Sequence, residues 1–160
     1  MPYEDRALDR PEQFDVRTCR AAAKAGGLAH WVDRYLRAGA WANAGLREGL
    51  RRQQRFWLEP LLLPLHRLER CCGPEPEMEF VMPPDSWQRR ISDIRRRLAD
   101  PLDVPPLIVE WRAGVLSIRD GNHRHGAMAA AGWDACWVIV WCNSPRDHDD
   151  ARALLGAQAP

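Results

Sequence analysis

The stretch PPLIVEWRAGVLSIRDGNHRHGAMAAAGWDACWVIVW, residues 105–141, changes its period several times. LIVEW (107–111) and VLSIRD (115–120) are β-branched and apolar, and Ala113-Gly114 between them makes a tight turn, so the pair predicts a hairpin. Ala127, Met128, Ala130 and Ala131 follow as a helix of small residues able to press close to a sheet. Gly132 stands where a helix C-terminal glycine belongs, and ACWVIVW (135–141) returns to strand.

Upstream, Pro84 and Asp85 supply a helix start. Trp87, Ile91, Ile94 and Leu98 mark one face, Arg89, Arg90, Arg96 and Arg97 lie opposite or flanking, and Pro101 ends the element. Farther back, Leu28, Trp31, Val32, Tyr35 and Leu36 form a helical stripe closed by Gly39. A second stripe, Leu46, Leu50 and Trp57, is expected to run as helix to Pro60. The segment LLLPLHRLERCCGPEPE (61–77) reads as a short extended piece, a turn of helix around His66–Arg70 and a Gly-Pro loop. Residues 1–16 read as a loose arm, and SPRDHDDARALLGAQAP (144–160) carries only a brief helical pattern. Three helices, two strands, a helix and a strand predict an α+β fold with a small sheet.

With 160 residues, 46% hydrophobic and 28% charged, the chain fits one compact domain. A net charge of +1 gives no global field toward nucleic acid or an anionic membrane. Apolar stretches fall far short of the ~20 residues of a bilayer span, so a cytoplasmic protein without membrane partners is expected. Cys19, Cys71, Cys72, Cys136 and Cys142 form an odd set without a CxxC pair and read as reduced thiols. Lys24 is the only lysine, which disfavours Schiff-base and P-loop chemistry. The eight tryptophans read as core anchors.

The chemistry concentrates in DGNHRHGA, residues 120–127. A strand runs through Asp-Gly into the first turn of a helix, so the free amides of residues 121–124 point at one spot that attracts anions, phosphate above all. Gly121 permits close approach, and Asn122, His123, Arg124 and His125 crowd further donors around the same helix end. The bland alternative is a plain turn in which Asp120 or Asn122 caps the helix. Asp120, His123 and His125 as metal ligands are disfavoured because side chains alternating at a helix start diverge.

The run 105–141 resembles the nucleotide-binding core of the ParB/sulfiredoxin superfamily, with a weaker match reaching back to Pro84. The resemblance implies a ParB/sulfiredoxin-like small mixed sheet packed by helices. A helical N-terminal extension (1–60) would pack on the same domain, followed by a core (61–145) and a tail (146–160). It implies phosphate contact at Gly121, Asn122, His123 and Arg124, with His125 beside them, and likens Asp120 to the Asp of the free-serine kinase branch. Sulfiredoxins carry a reactive Cys where Asn122 stands, so repair of oxidised peroxiredoxin is not expected.

The implied cofactor is a nucleotide (ATP, ADP or CTP) with Mg²⁺, and the implied reaction is phosphoryl transfer to a small-molecule hydroxyl. Asp120 would orient the metal or act as base, His123 would bind a phosphate oxygen and Arg124 would stabilise equatorial charge. The alternative is a nucleotide-switched DNA-binding or nuclease-type module lacking its own helix-turn-helix domain. Its DNA would meet the Arg-rich helix or the N-terminal helices.

Overall fold

Described by a computed structural model over residues 12–156, the chain is an α+β fold built around one mixed sheet. Helices α1 (Val16–Lys24), α2 (Leu28–Tyr35) and α3 (Ala44–Leu50) come first. Short strands follow: β1 (Phe56–Trp57), β2 (Leu61–Pro64), β3 (Glu69–Arg70), β4 (Cys72–Gly73) and β5 (Phe80–Val81). Then come α4 (Pro84–Arg97), β6 (Leu107–Arg112), β7 (Val115–Asp120), α5 (Asn122–Ala130), β8 (Ala135–Cys142) and α6 (Pro145–Gly156).

The main sheet runs β1-β8-β6-β7-β3, with β2 also on β8, and β4 pairs β5 in a separate ribbon. The β6–β7 hairpin turns through Ala113 and Gly114, both with positive φ (48° and 88°), the twist a two-residue hairpin loop requires. β6 and β8 lie parallel in the centre. Their side chains alternate between two faces. Leu107, Val109, Val138 and Val140 meet Met128, Ala151 and Leu155 on one side, whereas Ile108, Ile139 and Trp141 meet Trp31, Val32 and Tyr35 on the other.

Helix α5 ends as the glycine pattern anticipates. Gly132 takes φ 80°, its N–H reaches Ala129 O (3.1 Å), and Trp133 N–H reaches Met128 O (3.0 Å), which satisfies the last carbonyls. Its small residues serve a helix contact. A Cβ on Gly126 would stand 2.8 Å from Ile91 Cδ1 and 2.9 Å from Trp87 Cζ2, so α5 presses on α4.

Several expectations need correction. Of the expected N-terminal arm, residues 1–11 lie outside the described residues, but Phe14 is buried and Asp15 caps α1 by accepting from Thr18 N (2.8 Å). The second helical stripe does not reach Pro60. Helix α3 stops at Leu50, and Phe56–Trp57 pair with Cys142 and Trp141 as strand β1. Sheet pairing overrides the helical spacing there. The brief C-terminal pattern is a full helix, α6, anchored by Ala151 and Leu155. Of the tryptophans, Trp31, Trp87, Trp111 and Trp141 are buried, but Trp41 is 39% exposed. All five cysteines are unbridged. No helix among the described residues is long and apolar enough to cross a membrane.

Candidate functional site

Strand β7 delivers Asp120 to the sheet rim, and the chain turns into α5 through Gly121 at φ 99°. Only glycine adopts that conformation without strain, and a Cβ would collide with Leu107 and approach Arg124 Nη2 to 2.9 Å. The first intrahelical bond is His125 N–H to Gly121 O (2.9 Å), and no side chain caps the helix. The amides of Asn122, His123 and Arg124 therefore precede the helical bonding pattern, at the positive end of the helix dipole.

This end opens into a cavity of about 530 Å³, within the ~300–1,000 Å³ range of small-molecule pockets. Asp120, Gly121, Asn122 and His123 line it with Arg119 and the exposed Phe80. Arg119 reaches Glu79 through Nη1 (2.8 Å), while its buried Nε has no hydrogen-bond partner among the described residues.

The side chains of the motif point in different directions. Asn122 is buried as a clamp: its Oδ1 accepts from Cys71 N (2.9 Å) and Cys72 N (3.3 Å), and its Nδ2 donates to Ile118 O (3.2 Å). Its amide, not its carboxamide, faces the helix mouth. The His123 ring lies 4.8 Å from Trp87, with Nε2 3.0 Å from Met82 Sδ. A thioether only accepts, so Nε2 carries the proton. Burial, with Arg90 and Arg70 adding to it, pushes His123 down to about 4, so the ring is neutral near pH 7. His125 turns to the opposite side, donating from Nε2 to Leu65 O (3.0 Å) and lining a different cavity beside Glu69 and Ser117. Burial lowers its pKa, and its Nδ1 is buried without a partner among the described residues.

Arg124 is 4% exposed and turns inward. It donates through Nη1 to Pro105 O (2.7 Å) and through Nη2 to Tyr35 Oη (2.8 Å) and Asp120 Oδ2 (2.9 Å). Tyr35 in turn donates to the same Oδ2 (2.9 Å), and Asn43 Nδ2 approaches Oδ1 at 3.3 Å. The carboxylate is held by three partners: Tyr35 on α2, Asn43 just before α3 and Arg124 on α5. Arg124 does not line the cavity at the helix mouth; its guanidinium borders a second hollow of about 500 Å³ with Trp41, Arg90 and Arg97.

The sequence reading missed Tyr35, Asn43, Arg119 and Phe80. A tyrosine within an apolar stripe was the available signal, since a buried hydroxyl needs a partner. Among the described residues no group of three or more His, Cys, Asp or Glu side chains is placed to hold a metal.

No protein-family model matches the chain, and no curated protein matches it in sequence. Solved structures do. Sulfiredoxin from Arabidopsis thaliana is 20% identical over 51% of this chain and 82% of its own, with a TM-score of 0.34. A Pnob8-like ParB-N domain is 16% identical over 65% of this chain and 37% of its own, with a TM-score of 0.35. The C-terminally truncated chromosome-partitioning protein ParB from Caulobacter crescentus, complexed with CTP-γ-S, is 17% identical over 63% of this chain and 54% of its own, with a TM-score of 0.36. The three matches cover between 51% and 65% of this chain.

Proposed function

We propose that this chain binds a nucleotide with its phosphates at the open end of α5. The observation that carries this reading is the uncapped run of amides at Asn122, His123 and Arg124, set against a cavity that Arg119 also lines. Helix-terminal amides and a guanidinium suit a phosphate group, and Phe80 offers an apolar surface to the base. ATP, ADP and CTP all present that chemistry. Five unbridged cysteines support a reducing compartment, the cytoplasm.

The reaction we infer is phosphoryl transfer to a small-molecule hydroxyl. Gly121, Asn122 and His123 would place the phosphates through the main chain, and Arg119 would meet their charge. Asp120 would be the residue to hold Mg²⁺, since the contact of its Oδ1 with Asn43, at 3.3 Å, is the longest of the carboxylate's hydrogen bonds. A bound magnesium ion would neutralise phosphate charge. Arg124 acts as a positioning residue in this scheme, holding Asp120 in place. His125 supports the start of α5 from behind.

A DNA-binding module is a second reading. Arg89, Arg90, Arg95 and Arg97 are exposed along α4. Such a face would meet phosphates without reading bases.

Thermal shift with ATP, ADP, CTP and inorganic phosphate, each with Mg²⁺, tests the site. A saturable rise that Arg119→Ala diminishes supports it; no rise with any of them refutes it. Nucleotide turnover in the presence of amino-alcohol acceptors then favours the transferase. Duplex DNA binding that weakens steeply between two salt concentrations favours the module.

A further inference from the structure

A separate hollow of about 370 Å³ lies between α2, α3 and β1, outside the α5 site. Its floor is apolar: Val32 and Leu36 are buried, and Leu50 and Trp57 are half-buried. Trp57 is braced by Trp141, ring centroids 6.0 Å apart. Its rim carries Arg47, Arg51 and Arg55 against one carboxylate, Asp33.

The cations are not equivalent. Arg47 is committed to Asp33, with Nε–Oδ1 at 2.8 Å and Nη2–Oδ2 at 3.4 Å. Arg55 closes the end of α3, donating to Gly49 O (2.8 Å) and Leu50 O (3.3 Å) and pairing with Asn143. Arg51 is exposed and makes no ion pair among the described residues. Asp33 is held below the usual carboxylate range, chiefly by its Arg47 hydrogen bond, with smaller contributions from Arg51 and Arg37, so positive charge exceeds negative around this rim.

We propose that this hollow is a binding site for a small monocarboxylate with an apolar body of about eight carbons, its carboxylate on Arg51 and its hydrocarbon against Leu36, Leu50 and Trp57. The volume sits near the lower end of the ~300–1,000 Å³ range of small-molecule pockets, which selects a small guest. An apolar floor with one uncommitted cation suits a ligand with one charge and a carbon tail.

Calorimetric titration of the whole chain with sodium octanoate, 1-octanol and octylammonium chloride tests the site. Octanoate should bind saturably, octanol about tenfold more weakly, and octylammonium not at all. Arg51→Ala should weaken octanoate about tenfold without lowering the melting temperature of the free protein, whereas Arg52→Ala, whose side chain does not line the hollow, should bind like the parent. Leu50→Phe, which fills the floor, should lose octanoate and octanol together. Absent saturable octanoate binding, equal binding of octanol, or an Arg51→Ala variant that binds octanoate like the parent would each overturn the proposal.

Discussion

Arg124 in the first turn of α5 and Asp120 at the end of β7, four residues apart in sequence, are joined at 2.9 Å, with side chains only 5% and 14% exposed. Removing the cation alone strands a carboxylate in the interior. Arg124→Ala should therefore cost about 3–5 kcal/mol of stability. Chemical denaturation would measure this, and combining it with Asp120→Asn should cost less than the sum of the single losses because the two groups share one interaction.

Tyr35 bridges the same pair, accepting from Arg124 and donating to Asp120. Tyr35→Phe keeps the ring stacked on Trp31, 5.3 Å between centroids, but takes away the bridging hydroxyl. The expected loss is about 1–3 kcal/mol with the fold intact, seen as a lower denaturation midpoint at unchanged slope.

Gly121→Ala places a side chain at φ 99° and against Leu107. Backbone strain of about 1–2 kcal/mol adds to overpacking of about 1–3 kcal/mol. On the proposed function the same change displaces the helix mouth, so phosphate and nucleotide binding, followed by calorimetry, should fall more than in Gly132→Ala, where φ is 80° but a Cβ meets open space.

His123 gives stability a pH dependence of definite sign. Burial lowers its pKa from 6.5 to about 4 in the folded protein, so between those values the unfolded chain binds more protons. Its contribution is complete above 6.5 and fades as pH falls toward 4. His123→Gln should flatten the difference in denaturation midpoint between pH 7.5 and pH 4.5, and the imidazole proton resonances of the parent should titrate near the lower value.

What the sequence revealed was local. The Ala113-Gly114 turn, the Pro84 start of α4 and the Gly132 stop of α5 depend on residues within a few positions of each other, and all stand as read. Strand β1 was hidden because Phe56 and Trp57 take their form from Cys142 and Trp141, far along the chain. Helix α6 was weak in the pattern because it buries only Ala151 and Leu155. At the site, the residue types drew the eye to 120–125, but their directions depend on distant partners. Arg124 turns inward because Tyr35 and Pro105 O await it, and Asn122 because the amides of Cys71 and Cys72 need an acceptor. No spacing rule along 120–125 contains those partners.

The two margins of the main sheet bear on how the protein behaves when crowded. One margin is β3, two residues long; at the other, β8 is shielded by two short strands in succession, the second ending in Pro64, which has no N–H to offer. Among the described residues, a foreign strand reaching either margin meets only these short strands and no extended ladder of unsatisfied main-chain groups on which to zip. Self-association into fibrils would first have to peel away one of these short guards.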